Sequence, residues 1–141
     1  MKIELLGKKW NIITIIPSLS SSQGFTFRSP QNQLFIPVCI HCDIITVVGS
    51  VTTIPYFQVI DDTGNIIFEY RSPAALLANS VYHFSYLSGT SPVQLNSLNL
   101  FCGMPSNAPF IETDFKISLV TPHANDTVTL PVIYGLISDF E

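Results

Sequence analysis

The run Val128-Thr129-Leu130-Pro131-Val132-Ile133-Tyr134-Gly135-Leu136-Ile137 decides how the chain is read. Val128, Leu130, Val132, Tyr134 and Leu136 alternate with Thr129, Pro131, Ile133, Gly135 and Ile137. That period of two puts each set on its own face of a β-strand and leaves no helical stripe. Pro131 has no N–H to give to a ladder, so the strand is predicted to lie at a sheet edge or to carry a bulge. Upstream, Phe115, Ile117 and Leu119 alternate with Lys116 and Ser118, which predicts a half-buried strand with a polar outer face.

The same signature recurs toward the N-terminus. Runs rich in β-branched and aromatic residues, each cut off by Pro, Gly, Asn or Ser, cover Trp10 to Ile16, Leu34 to Cys42, Ile44 to Val48, Pro55 to Ile60, Ile66 to Arg71, Val81 to Leu87 and Leu95 to Cys102. With the two C-terminal runs they make about nine strands. The expected fold is therefore all-β: a single antiparallel β-sandwich, jelly-roll-like, filling residues 1–141 as one domain. Asp61-Asp62-Thr63-Gly64-Asn65 is predicted to be a tight hairpin, because Gly64 can take the positive φ such a loop needs. A Ser-rich loop from Ser18 to Gly24 leads into Phe25-Thr26-Phe27. Ser72 as N-cap with Pro73 at the first helical position suggests one helical turn to Ala78. Pro105 to Pro109 and Thr121 to Asp126 read as loops at the ends of the sandwich.

Composition bounds what such a domain does. The chain has 141 residues, enough to bury about 68% of the surface its unfolded form exposes, so it needs neither disulfide nor metal to fold. Hydrophobic residues make up 47% and charged residues only 11%, yet no stretch of about 20 apolar residues can be drawn for a membrane span. Met1-Lys2-Ile3-Glu4 carries an acid and opens no continuous apolar segment, which predicts synthesis in the cytoplasm without a secretory signal. From Ser72 to Ile111 the chain contains no Lys, Arg, Asp or Glu for 40 residues. About ten would be expected at ordinary frequencies. A free soluble domain keeps charge on its surface, so this stretch points to an exterior packed against other protein.

Net charge is −4 and unevenly placed. Lys2, Lys8, Lys9 and Arg28 outweigh Glu4 in the first 30 residues, while Arg71 and Lys116 face nine acids in the remainder. The chain is therefore not expected to bind nucleic acid through a basic face. A basic edge of one copy steering toward an acidic edge of the next is conceivable from this split, as is a simple scatter of solvated charges.

Candidate chemistry is sparse. Cys39-Ile40-His41-Cys42-Asp43 contains a C-x-x-C spacing, but residues three apart on a strand point to opposite faces, so two core thiols flanking a strand are expected instead of a zinc or redox site. Cys102 completes an odd set of cysteines, read as reduced. His41, His83 and His123 lie outside any nucleophile-elbow pattern, and His83 is expected to be a strand histidine hydrogen-bonded in place. A hydrolase would need at least two of them within about 3 Å of an acid or nucleophile. Calcium could be held by Asp61, Asp62 and Asn65, or by Asp126 beside Asn125, but turn formation explains the acids equally well. Glu112 and Asp114 are read as loop acids, and Asn125-Asp126-Thr127 as a chance acceptor sequence for glycosylation. No catalytic residue, cofactor or metal is assigned.

Tyr82, Phe84 and Tyr86 share one face of their strand and are expected to pack the core. The opposite face offers Val81, His83, Ser85 and Leu87, which are assigned to contact with a neighbour, together with the terminal segments near Met1 and Phe140.

Gly7-Lys8-Lys9-Trp10-Asn11-Ile12 opening a strand, Phe27-Arg28-Ser29-Pro30 closing a Ser-rich loop, Ile111-Glu112-Thr113-Asp114-Phe115-Lys116-Ile117, and Asp126-Thr127 leading into a last long strand that stops at Phe140-Glu141 give the chain its order of segments. That order resembles the small β-sandwich structural proteins of tailed bacteriophages: head-decoration, adaptor and fibre-base modules. The resemblance implies a virion protein, made in the host cytoplasm, that decorates or cements a capsid or tail. Its partners would be other virion proteins and copies of itself, as a homo-oligomer, with no nucleic acid, no membrane and no enzymatic residues to carry over. The alternative expectation is a carbohydrate- or receptor-binding sandwich with a loop-end pocket.

Overall fold

A computed structural model of the chain describes residues 2–19, 22–72, 75–88, 93–94, 99–104 and 109–139. Eleven strands form among them: β1 (Lys2–Leu5), β2 (Lys8–Ile15), β3 (Gly24–Arg28), β4 (Gln33–Ile45), β5 (Ile54–Ile60), β6 (Ile66–Arg71), β7 (Val81–Ser88), β8 (Val93–Gln94), β9 (Asn99–Met104), β10 (Asp114–Val120) and β11 (Thr127–Asp139). A seven-stranded sheet runs β1-β2-β11-β4-β7-β9-β8 and a four-stranded sheet runs β3-β10-β5-β6.

Eight of these strands, taken in chain order, pair first with last (β2 with β11), second with seventh (β3 with β10), third with sixth (β4 with β7) and fourth with fifth (β5 with β6). A long antiparallel ribbon rolled in this way is a jelly roll, as expected. Three short strands decorate the large sheet: β1 beyond β2 on one flank, β9 and β8 beyond β7 on the other.

The all-β expectation holds, with corrections in detail. The runs Leu34 to Cys42 and Ile44 to Val48 are parts of one strand, the 13-residue β4, because Asp43 finds partners on the sheet face and does not break it. The β1, β3 and β8 strands add to the expected nine. One pairing, β7 with β9, is parallel and not antiparallel: the chain leaving β7 forms the outermost β8 and returns between the two in the direction of β7. Of the run Leu95 to Cys102, residues 95–98 lie outside the described residues, as do 105–108 of the expected end loop. The helical turn is not found in the described part of Ser72 to Ala78. Leu76 donates its N–H to Thr53 O at 2.8 Å and Leu77 to the Tyr82 hydroxyl at 2.7 Å, so these groups serve neighbouring segments instead of a helix.

The decisive C-terminal run is a central strand, and its proline sits in a bulge. Register slips between Thr129 and Val132, where Leu130 takes a φ of +50° and stands out into solvent. The slip inverts the phase of the alternation. Val128 is buried in the core, yet Tyr134 stands on the outer face, so the five residues read as one face are divided between two. A second slip falls between Tyr134 and Gly135.

The sheets stack through aromatic side chains. Phe57 of β5 meets Tyr86 of β7 with ring centroids 4.7 Å apart, and Phe35 of β4 meets Phe115 of β10 edge-to-face at 5.6 Å. Phe25, Val59, Ile117 and Leu119 from the small sheet join Ile40, Cys42, Ile44, Phe84, Val128 and Ile133 from the large one in a single cluster. Each such side chain contributes about 1.5–3 kcal/mol by leaving water. Tyr82, Phe84 and Tyr86 all belong to this core, as their alternation predicts. A smaller cluster of Trp10, Ile36 and Leu136 forms on the other side of the large sheet, where the Trp10 indole donates to Leu5 O at 2.8 Å.

The predicted hairpin joins β5 to β6. Gly64 has a φ of +90°, Asp61 N–H donates to Asn65 O at 2.9 Å, and the Asp61 carboxylate accepts from the backbone of Thr63 and Asn65. These bonds hold the Asp61 carboxyl below its ordinary value, the Asn65 backbone contributing most.

Candidate functional site

Each sheet turns one face outward, and the two outer faces differ in chemistry. On the small sheet, charges are interleaved and paired. Arg28 meets Asp114 at 3.1 Å, Arg71 meets Glu69 at 2.7 Å, and Arg71 and Lys116 both lie over the Tyr56 ring, at 5.6 and 5.8 Å from its centroid. Such a face is at home in water.

The outer face of the large sheet is different. Successive cross-strand rows read Thr127, Ile45 and Val81, then Thr129, Asp43 and His83, then Val132, His41 and Ser85, then Tyr134, Cys39 and Leu87. In these rows Asp43 is the sole carboxylate and there is no Lys or Arg. The assigned contact residues Val81, His83, Ser85 and Leu87 do share this face, with Val81 44% exposed. Phe140 lies outside the described residues. The uncharged segment Ser72 to Ile111 supplies β7, β9 and β8, the whole of one flank, while Lys2, Lys8 and Lys9 gather on the far flank. There they line a groove of about 340 Å³ with Asn11, Ser138 and Asp139.

At the centre of the face, Asp43 is held by two histidines. His83 Nδ1 lies 2.6 Å from Asp43 Oδ1 and His41 Nε2 lies 3.4 Å from the same oxygen. The other ring nitrogen of His41, Nδ1, is 2.8 Å from Ser85 Oγ. The two imidazoles lie nearly parallel, 11° apart, with centroids separated by 6.5 Å. The geometry follows from the strands: residues 41 and 43 are two apart on β4 and share a face, and β7 places His83 opposite Asp43 and Ser85 opposite His41.

His83 is thus a hydrogen-bonded strand histidine, as expected, but it is also part of a cluster. Two histidines lie within 3 Å of an acid or a hydroxyl, which meets the distance condition for a hydrolase. Ser85, however, sits within a strand paired on both sides. The N–H groups around it lie in the plane of the sheet and are not aimed at an oxyanion above it.

The remaining candidates resolve into structural roles. Cys42 is fully buried, where desolvation and then the Asp43 charge push its thiol far up, while Cys39 faces outward half-buried, its thiol also raised by burial. The two point to opposite faces, as the strand period requires, but only one is a core thiol. The side chain of Cys102 is outside the described residues. Asp61 is committed to its turn. Asp126 is fully buried, and its carboxylate accepts from Val47 N at 3.0 Å, Ser50 Oγ at 2.9 Å, His123 N at 3.0 Å and Thr53 Oγ1. It ties together the loops after β4 and β10.

Fold and faces together define a jelly-roll domain with one outer face of paired charges and another whose rows across β11, β4 and β7 hold a single carboxylate. Comparison with family models, with curated proteins and with solved structures returns no match for the chain. The Asp43 cluster is only partly written in the local sequence. His41 and Asp43 at i and i+2 on a strand share a face, and only the pairing with β7, which no local pattern states, brings in His83.

Proposed function

We propose that this chain is a non-enzymatic structural component of a virion, decorating or cementing a capsid or tail by contact with copies of itself and with other virion proteins. The observation that carries this reading is the difference between the two outer faces. Charges collect and pair on the small sheet, while the flank of the large sheet formed by β7, β9 and β8 carries none. A surface of this kind loses little when it is removed from water.

Apolar side chains gather at one end of that face. Ile45 and Val81 are cross-strand partners, Thr46 Oγ1 donates to Leu77 O at 2.6 Å and so fixes the preceding loop beside them, and Val48 follows in the next loop. Leu77 is 64% exposed and Val48 77%. The Asp126 network holds the loops beneath them, which gives a preorganised surface for docking. On the small sheet, β6 is the outermost strand among the described residues and carries exposed Ile66 and Ile67, a second site where neighbouring subunits could join. Jelly rolls recur in viral capsid proteins, and the segment order resembles phage decoration modules. Many weak copies acting together would then reinforce a particle.

The carbohydrate-binding alternative calls for aromatic and acidic side chains converging in a loop-end pocket. Among the described residues, the groove at β1 and β2 is lined by Lys2, Lys8 and Lys9 with Asn11, Ser138 and Asp139, and no aromatic side chain joins them. The proposal is tested by mass spectrometry of purified particles from a culture that produces this chain. Recovery in stoichiometric amounts with the major virion proteins is expected; expression in infected cells with none in the particles would overturn it.

A further inference from the structure

We propose that His41, Asp43 and His83 form a binding site for a divalent first-row transition ion, of which Zn2+ is the natural probe, on the outer face of the large sheet. One imidazole nitrogen from each histidine and one carboxylate oxygen lie within 4.8 Å of one another. A four-coordinate ion with ligand distances of about 2.0–2.2 Å needs its donors about 3.3 Å apart. His41 Nε2 and Asp43 Oδ1 are already 3.4 Å apart. The 2.6 Å contact between His83 Nδ1 and the same oxygen has to open by less than about 1 Å, and the widest pair, no more than 4.8 Å apart, has to close by at most about 1.5 Å, displacements that χ rotation of a half-exposed histidine supplies.

Three further features favour an ion over a plain hydrogen-bonded cluster. Ser85 Oγ sits against His41 Nδ1 at 2.8 Å, and a hydroxyl that accepts from Nδ1–H leaves the lone pair of Nε2 for an ion held between it and Asp43. Such an outer partner is what orients metal-binding histidines. All three ligands stand on β4 and β7, adjacent strands inside the sheet and paired on both sides, so the site rests on rigid backbone. Two neutral imidazoles and one carboxylate suit zinc and its neighbours and are a poor set for calcium, which takes oxygen ligands. Three protein ligands leave a coordination position for water on the exposed side. The site lies on the face assigned to contact with a neighbour, but its ligands all come from one chain, so metal binding by the isolated chain is read separately from assembly.

The test is isothermal titration of Zn2+ into the full chain freed of metal by chelation, with Co2+ absorption as a second readout of ligand geometry. About one equivalent is expected to bind, with visible Co2+ bands of a four- or five-coordinate centre. His83→Ala and His41→Ala should each abolish saturable binding while unfolding at the same temperature as the metal-free parent. Ser85→Ala should weaken it about 10- to 100-fold through loss of ring orientation. Cys39→Ser should leave it unchanged. Absence of saturable binding to the parent chain, or equal binding by the two histidine variants, would overturn the proposal. Loss of binding on Cys39→Ser would also overturn the ligand set.

Discussion

Asp126→Ala is expected to cost about 3 kcal/mol of folding stability and to lower Tm by about 10 °C. The substitution takes the acceptor from the backbone N–H groups of Val47 and His123 and from the hydroxyls of Ser50 and Thr53, of which one can still donate to the other across their 2.8 Å contact. Buried donors left unpaired lose their desolvation cost in full. Asp126→Asn keeps the volume and one acceptor oxygen, so about half the loss is expected. Both are read by chemical denaturation at neutral pH, and no change on Asp126→Ala would mean that the carboxylate does not organise these loops.

The same residue gives an acid limb with a definite sign. Burial pushes the Asp126 carboxyl up, but the bonds from Thr53, Val47, Ser50 and His123 together outweigh it and hold the group below its ordinary value. A carboxyl depressed in the folded state contributes stability that is present above the unfolded value, about 3.9, and is lost as pH falls through the lower folded value. In Asp126→Asn this part of the acid dependence should vanish, and the two stability curves should draw together as pH falls below about 4.

Gly135 is the second sensitive point. A Cβ built there falls on Cε2 and Cζ of Phe35 and lies 3.0 Å from Ile36 O. Phe35 cannot easily yield, because it is fully buried and meets Phe27 and Phe115 edge-to-face, each at 5.6 Å. Gly135→Ala is therefore expected to destabilise by about 2–3 kcal/mol through overpacking. Phe35→Ala should cost about 3–5 kcal/mol through the cavity it leaves. Combining Gly135→Ala with Phe35→Leu should cost less than the sum of the single changes, since the smaller side chain vacates the space the new methyl needs. Strict additivity in urea denaturation would show that the two positions do not meet.

These sensitivities also mark where sequence could and could not speak. Period-two alternation gave β10 correctly, with Phe115, Ile117 and Leu119 inward and Lys116 and Ser118 outward, because β10 has no bulge to disturb its phase. In β11 the same reasoning placed a strand but misjudged its faces. Pro131 correctly signalled an interruption, yet a local pattern does not say whether an edge or a bulge accommodates it. The bulge was chosen because β11 is needed between β2 and β4 to close the sheet. The strands not foreseen, β1, β3 and β8, span only two to five residues each, too few for a period to show. The Asp61 turn was legible because all its bonds are made within five residues. The Asp126 network joins positions 47, 50, 53 and 123, and the Asp43 cluster joins 41 with 83. Both depend on pairings that only the closed fold supplies.

The absence of charge from Ser72 to Ile111 acquires a place in this fold. Among the described residues that segment supplies β7, β9 and β8, one flank of the large sheet, while the outer face of the small sheet carries paired charges. Sedimentation velocity of the chain beside Val81→Lys, from micromolar to near-millimolar concentration, tests the proposed docking role of that flank most directly. The account predicts that the parent chain grows in mass with concentration and that a lysine on the outer face of β7 holds the variant monomeric. A parent chain that stays monomeric throughout would contradict it.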